Sequence, residues 1–340
     1  MKIISLCSSD TNLLGAVMDQ NTSFNGNQSS CVYNDTVDAY MYPAAYSLFF
    51  IFGLPANCLS LYIACVLMRR GNSLSVYLVN LSISDLLYII SLPVWIMLAK
   101  RQTVNDTLCS LIAVIMYNSF YVGSGLLCCI SMDRYLAVVF PLYFARAHKM
   151  KTAALVSMLV WLTEITLHIG LLAYTKNLQQ FSSKRLCEVT IPLDSQTAHM
   201  AIIRVVLSFL IPLFLMAFCF HQIIMCVGKS VSIVASEREK LRNLLLLLLL
   251  VYIVSFTPYQ AVMFVRGLLE TDNCTIFKQL RNSYMVFVAT TTINSVLDPI
   301  VYCLMTESAK TEILKIYTNC QYRLNKAVSL LRLSFSSNES

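Results

Sequence analysis

The chain has 340 residues, of which 57% are hydrophobic and only 13% are charged. Soluble domains carry about 25% charged residues, so the composition excludes an ordinary water-soluble protein and indicates that lipid is the main solvent. The formal net charge of +7 is expected to reflect the topology of a membrane protein. No nucleic-acid partner and no cofactor are predicted.

Seven segments are long and apolar enough to cross a bilayer, which takes roughly 20 mainly apolar residues. In chain order they are 42–68, 75–98, 107–132, 153–173, 200–227, 244–269 and 284–305. We therefore predict an all-α membrane protein, a seven-transmembrane helix bundle over residues 42–305 followed by a short amphipathic eighth helix. Residues 1–41 are a predicted extracellular, glycosylated segment, and 306–340 a cytoplasmic helix and tail.

Charge and glycosylation patterns both place the N-terminus outside. The inner connections and the tail hold fourteen Lys and Arg residues against eight on the outer side, and positive residues favour the cytoplasmic side. The first span is expected to serve as its own targeting signal, and whether Met1 or Met18 is the start stays open. Glycosylation sequons, which are modified only on the outer side, are Asn21, Asn27, Asn34, Asn105 and Asn273.

Two pairs of cysteines lie on the predicted outer side, in an oxidising compartment. Cys109 opens the third span and Cys187 lies in the loop before the fifth, so we predict a disulfide that ties this loop to the third helix. Cys31 and Cys274 form the next pair, which would join the head to the last outer loop.

Each predicted span carries a short landmark. In the third it is Asp133-Arg134-Tyr135, within Ser131 to Val138. The other landmarks are Gly53-Leu54-Pro55-Ala56-Asn57, Leu81-Ser82-Ile83-Ser84-Asp85, Trp161, Pro212, Phe256-Thr257-Pro258-Tyr259 and Asp298-Pro299-Ile300-Val301-Tyr302.

This ordered set resembles the rhodopsin-like (class A) G-protein-coupled receptors over about residues 42–320. Within that family the chain resembles the proton-sensing and lysolipid receptors, such as the ovarian-cancer, T-cell death-associated and G-two-accumulation receptors. The segments that carry this narrower resemblance are Leu54 to Tyr62, Leu127 to Ser131 and Asp298-Pro299.

Three acids fall inside predicted spans, where a charge costs about 2.5–3.5 kcal/mol. At 1.5 Å per residue, Asp85 and Glu164 lie roughly 15 Å and 17 Å into their spans and Asp298 about 21 Å down the seventh. The resemblance implies that such a triad couples protonation to activation. The alternative is that Asp85 marks a sodium and water pocket, with Asp298 its polar partner and Glu164 a packed, hydrogen-bonded acid.

Two arginines are predicted near the outer ends of their helices. Arg204 and Arg266 would bind a ligand phosphate or carboxylate, or pair with acids such as Glu188 and Glu270 in a latch that protonation releases; plain snorkelling to the interface is the alternative. The other predicted ligand-site residues are Tyr117, Tyr121, Tyr259, Gln260, His168 and His199.

Gln260 stands where the resembled receptors usually carry His. This departure weakens the proton-sensing interpretation. A lysophospholipid or an oxidised fatty acid is therefore the alternative agonist.

The cytoplasmic face is expected to carry the output. By resemblance, Asp133 holds Arg134 at rest and releases it to a heterotrimeric G protein, with Tyr135 and Tyr302 beside it. Glu307 to Tyr317 is predicted to form the amphipathic helix, with Cys320 open to palmitoylation. Tail serines would accept phosphates for arrestin: Ser329, Ser334, Ser336, Ser337 and Ser340.

The chain is thus predicted to be a multi-pass receptor of the plasma membrane and not an enzyme. An intramembrane aspartyl protease would need a Gly-x-Gly-Asp type of motif, which the sequence lacks. A transporter or proton channel is the remote alternative, but it would favour internal repeats, and none is evident.

Overall fold

A bundle of long helices makes up the described part of the chain, which in this computed structural model comprises residues 31, 37–147, 149–174, 192–229, 235–305 and 307–336. All regular structure within these residues is helical. The long helices are α1 (Tyr42–Arg69), α2 (Leu74–Ala99), α3 (Asp106–Val139), α4 (Met150–Tyr174), α5 (Ser195–Val205, Val206–Leu210 and Ile211–Lys229), α6 (Ala235–Leu269), α7 (Cys274–Met305) and α8 (Glu307–Ser336). A π-helical turn, Val37–Met41, leads into α1, and a short helix, Pro141–Ala147, lies between α3 and α4.

Helices α1 to α6 each contain a segment that is long and apolar enough to cross a membrane. The next helix, α7, has 32 residues, which also exceeds the roughly 20 that a span needs. It packs against α1, α2 and α6 and so closes the bundle. The predicted all-α bundle of seven spans with an eighth helix is confirmed.

Several helices extend beyond the apolar segments that predicted them. Helix α5 begins at Ser195 rather than at residue 200, and α7 begins at Cys274 rather than at residue 284. Helix α8 is not short, since it runs for 30 residues to Ser336 rather than ending at Tyr317. Hydropathy marks only the part of a helix that lies in lipid, so polar outer turns go unmarked.

A π-helical turn, Val206–Leu210, interrupts α5 directly before Pro212. Pro212 has no backbone N–H, so the Ser208 carbonyl lacks the donor that an α-helix would supply four residues later. The Ile211 N–H instead donates to the Val206 carbonyl, one residue wider than in an α-helix. Ser208 is buried in the bundle and keeps its carbonyl available to another helix.

The outer ends of α5 and α6 approach each other at a glycine. A Cβ added at Gly267 would lie 2.8 Å from the Ile202 Cγ1 atom and 3.0 Å from the Ala198 carbonyl oxygen. Only a residue without a side chain allows the two helices to come this close. The contact places Arg266, the preceding residue, against the neighbouring helices.

A disulfide joins Cys31 to Cys274 at a Cα–Cα distance of 5.7 Å, as predicted. It ties the segment before α1 to the start of α7. Cys109 is also disulfide-bonded, but its predicted partner, Cys187, lies outside the described residues.

Two predicted glycosylation sites cap helices. The side-chain oxygens of Asn105 and Asn273 accept from the backbone N–H groups of Thr107 and Thr275 at 2.9 and 3.0 Å. Both asparagines are exposed. A glycan would attach to the amide nitrogen, whereas the cap uses the amide oxygen, so glycosylation at these two sites is compatible with the caps and stays a prediction. Asn21, Asn27 and Asn34 lie outside the described residues.

Candidate functional site

Asp85 of α2 and Asp298 of α7 lie within hydrogen-bonding reach of one another in the buried interior. Asn294 donates its amide N–H to Asp298 Oδ2 at 2.8 Å. Asp85 Oδ2 and Asp298 Oδ1 have no donor among the described residues. Two carboxylates this close repel one another in a medium of low dielectric, so the pair calls for a positive charge.

Either a proton or a small hard cation would meet that need. Asn57 Oδ1 and Asn294 Oδ1 also lack a donor within the described part of the chain, and oxygen atoms of this kind suit a hard cation such as Na⁺. Asn57 itself donates to the Ser295 carbonyl at 2.7 Å, which links α1 to α7. The donor set therefore fits both interpretations made from the sequence.

Glu164 lies in a different set of contacts, between α4 and α5. The Ser208 hydroxyl donates to its two carboxylate oxygens at 3.3 and 3.4 Å, and Arg204 Nη1 is 3.7 Å from Glu164 Oε2. Among the described residues, no hydrogen bond or ion pair joins Glu164 to Asp85 or Asp298. The structure thus brings together two of the three predicted acids and places the third beside a cation.

Arg204 is 8% exposed, and its guanidinium carbon lies 4.3 Å from the centroid of the Tyr121 ring. Neither Nη1 nor Nη2 has a hydrogen-bond acceptor among the described residues, because Glu164 is too far for a hydrogen bond. A buried guanidinium carries donors that cost free energy when they stay unmet. Arg204 is therefore suited to an anionic group that reaches it.

Other predicted ligand-site residues surround Arg204. Gln260 is buried within hydrogen-bonding reach of Tyr121, and its Oε1 has no donor in the described structure. His168 is buried, and its ring lies 6.1 Å from that of Tyr117. His199 is exposed on the first turns of α5, so the structure does not bring it into this cluster.

Arg266 is engaged by Glu270, its neighbour one turn later. Arg266 Nε and Nη2 donate to the two oxygens of Glu270, the latter at 2.7 Å. Glu270 Oε1 also accepts from the Leu193 N–H at 3.1 Å. The arginine stacks over the Tyr284 ring at 4.2 Å, and Tyr259 is buried beside that ring. The ion pair between Arg266 and Glu270 is thus present, whereas its release by protonation stays a prediction.

Near the C-terminal end of α3, Arg134 Nη2 donates to Asp133 Oδ2 at 2.6 Å. The Tyr135 ring contacts Phe140 and Phe218, each at 5.8 Å between centroids. Tyr302 lies in α7, but its side chain is outside the described structure. The closed Asp133–Arg134 pair matches the resting arrangement expected from the sequence.

Three buried hydroxyl residues that join helices were not predicted from the sequence. Ser124 Oγ lies 2.7 Å from the Tyr252 hydroxyl and donates to the Ser208 carbonyl at 3.2 Å. Each is a single polar residue in an apolar run. The only available signal was Pro212, four residues after Ser208, which frees that carbonyl.

A cytoplasmic ion pair connects the end of α1 to α8. Arg70 Nη1 donates to Glu312 Oε1 at 2.6 Å, and Lys315 Nζ to the same oxygen at 2.9 Å. The hydrogen bond from Arg70, and then that from Lys315, lowers the pKa of Glu312 below its usual range. Because a carboxylate with a lowered pKa stabilises the folded state only when ionised, the contribution is present above the ordinary Glu pKa and is lost as pH falls through the lowered one.

We expect the Arg70→Gln substitution to return the pKa of Glu312 toward its ordinary value and Lys315→Gln to do so to a smaller extent, since Arg70 is the larger cause. Carbon-13 NMR titration of glutamate-labelled protein in micelles measures this, with Glu312→Gln assigning the signal. An unchanged pKa in Arg70→Gln, or a larger change in Lys315→Gln, would contradict the geometry.

Comparison with known proteins decides the family. The sequence profile of the 7 transmembrane receptor (rhodopsin family) matches residues 56–302. The chain belongs to this rhodopsin family. Among rhodopsin-family relatives, it is 31% identical to G-protein coupled receptor 68 of Bos taurus, over 90% of this chain and 84% of the relative.

It is also 30% identical to G-protein coupled receptor 65 of Homo sapiens, over 87% of this chain and 92% of the relative. With Lysophosphatidic acid receptor 6 of Homo sapiens it shares 26% identity, over 84% of this chain and 87% of the relative. The resemblance to the proton-sensing and lysolipid subfamily is confirmed.

Membership of the rhodopsin family confirms several sequence-based predictions. The chain is a multi-pass protein of the plasma membrane and a receptor that couples to G proteins. It is not an enzyme, because members of this family are receptors.

Proposed function

We propose that this receptor is activated by extracellular protons and that the Asp85–Asp298 pair is its principal proton site. The observation that carries the proposal is the pair itself, two buried carboxyl groups within hydrogen-bonding reach with one oxygen each that lacks a donor. One proton between them replaces repulsion by a hydrogen bond. Protonation would therefore change the force between α2 and α7.

The change in force between α2 and α7 would reach the cytoplasmic face along α7, which also carries Tyr302. A shift of α7 relative to α2 would favour release of Arg134 from Asp133 and engagement of the G protein. Glu164 would act as a second acid, since protonation removes the charge that faces Arg204. A sodium ion at Asp85 competes with the proton for the same oxygens.

Titration of cells that express the receptor, from about pH 8 to about pH 6, tests the proposal. The readouts are cAMP, calcium and inositol phosphates, so that each class of G protein is covered. A response that mock-transfected cells lack would support proton activation. A flat titration in all three readouts at normal surface expression would refute it.

A second candidate agonist is an anionic lysolipid, favoured by the two guanidinium nitrogens of Arg204 without an acceptor among the described residues. A phosphate or carboxylate forms charge-assisted hydrogen bonds with such a group. Lysophosphatidic acid receptor 6 is named for a ligand of this class. Lysophosphatidic acid is therefore the probe to apply first if protons fail.

Three further features belong to this proposal. The N-terminus is extracellular, as the charge bias and the sequons predict. Arrestin binds the phosphorylated tail serines, and Cys320 carries a palmitoyl chain that holds α8 on the membrane.

A further inference from the structure

Hydrogen bonds connect α4 to α6 through the π-helical turn of α5. The Ser208 hydroxyl donates to Glu164, and the Ser208 carbonyl accepts from the Ser124 hydroxyl at 3.2 Å. Ser124 Oγ in turn lies 2.7 Å from the Tyr252 hydroxyl. Four helices are thereby linked, from the acid on α4 to a phenol on α6.

The directions of these bonds follow from the number of protons. Ser124 has one hydroxyl proton, which it donates to the Ser208 carbonyl, so it must accept from Tyr252. The Tyr252 proton also faces the Phe209 carbonyl, but at 3.4 Å, which makes Ser124 the stronger acceptor. Pro212 offers the Ser208 carbonyl no N–H, so this oxygen lacks the donor that an α-helix would supply.

The three hydroxyl residues are almost inaccessible to water: Ser124 is 1% exposed, Ser208 4% and Tyr252 0%. A buried hydroxyl that loses its partner costs more than the bond itself contributed, because water cannot replace the partner. Buried bonds that share a hydroxyl also strengthen one another. The Tyr252 ring is also stacked on Phe209, 5.9 Å between centroids, so α6 is held to the π-helical turn by two kinds of contact.

We propose that Ser208, Ser124 and Tyr252 are positioning residues that hold α6 in its resting arrangement and transmit changes at the Glu164–Arg204 pair to it. The arrangement described is a resting one because Arg134 is held by Asp133. That protons or an anionic ligand act at the Glu164–Arg204 pair rests on the proposed function, whereas the claim that these hydroxyl groups hold α6 in place does not. Loss of a hydroxyl should therefore favour signalling without agonist.

The test measures basal G-protein activation of the full-length receptor at equal surface expression and without added ligand. Tyr252→Phe should raise it by roughly 2- to 10-fold, the effect of one neutral hydrogen bond. Ser124→Ala should raise it by at least as much, because it also removes the bond to the Ser208 carbonyl. The double variant should exceed Ser124→Ala by little, since that variant already removes the bond with Tyr252. Ser124→Thr keeps the hydroxyl and should stay closer to the wild type than Ser124→Ala does.

Ser91→Ala is the matched control, because the buried Ser91 hydroxyl donates only to a carbonyl of its own helix in the described structure. Basal activity in Tyr252→Phe and Ser124→Ala that equals the wild type, or equals Ser91→Ala, would overturn the proposal. Raised basal activity in a receptor that ignores both protons and lysolipid would support the relay and refute the proposed agonists, so the two failures are distinguishable.

Discussion

Replacing Asp298 by Asn is expected to remove most of the response to acid between about pH 8 and about pH 6. An asparagine has no titratable proton, and its amide N–H can donate to Asp85 at every pH. The pair would then be hydrogen-bonded permanently. We expect proton potency to fall by at least about tenfold, or roughly one pH unit, in the cAMP, calcium or inositol phosphate assay that detects the wild type.

The chain offers a matched control in Asp272, an exposed acid between α6 and α7. Its φ of 53° is a conformation that Asn tolerates, so Asp272→Asn makes the same chemical change without strain. This variant should titrate as the wild type does. A normal acid response in Asp298→Asn, or an equal loss in Asp272→Asn, would remove Asp298 from the proton site.

Depth along a helix was predictable from the sequence, whereas rotation about its axis was not. Counting residues placed Asp85 and Asp298 at similar depth, and they do meet. The same arithmetic grouped Glu164 with them, but α4 turns this acid toward Ser208 and Arg204 on α5. Hydrophobic periodicity gives little help here, because a span faces lipid on one side and apolar neighbours on the other.

Local pairings were easier to predict than contacts between helices. The spacing of Arg266 and Glu270 is one turn, which brings the two side chains to the same face, and the two are hydrogen-bonded as expected. The predicted acidic partners were Glu188, which lies outside the described residues, and Glu270, rather than Glu164. The bonds among Ser124, Ser208 and Tyr252 depend on a π-helical turn, for which Pro212 was the only signal in the sequence.

The Arg204→Gln substitution is expected to lower the potency of lysophosphatidic acid by roughly 10- to 150-fold, the range of one charge-assisted hydrogen-bonded contact. The side chain keeps some hydrogen-bonding capacity but loses the positive charge that an anionic headgroup needs. Glu164→Gln should act in the opposite direction, because it removes the carboxylate that lies 3.7 Å from Arg204 and competes for it. Concentration–response curves for G-protein activation at fixed pH measure both changes.

Arg266→Gln is the matched control, since both oxygens of Glu270 already engage that guanidinium, and it should lose less potency than Arg204→Gln. A monoacylglycerol with the same acyl chain serves as the uncharged ligand, and its potency should not distinguish the variants. If Arg204→Gln responds as the wild type does while Arg266→Gln fails, the anion site lies at the outer end of α6. If Glu164→Gln were then more potent, the cause would have to be the altered hydrogen bond between residue 164 and Ser208. Competition between Glu164 and the ligand for Arg204 would no longer explain it.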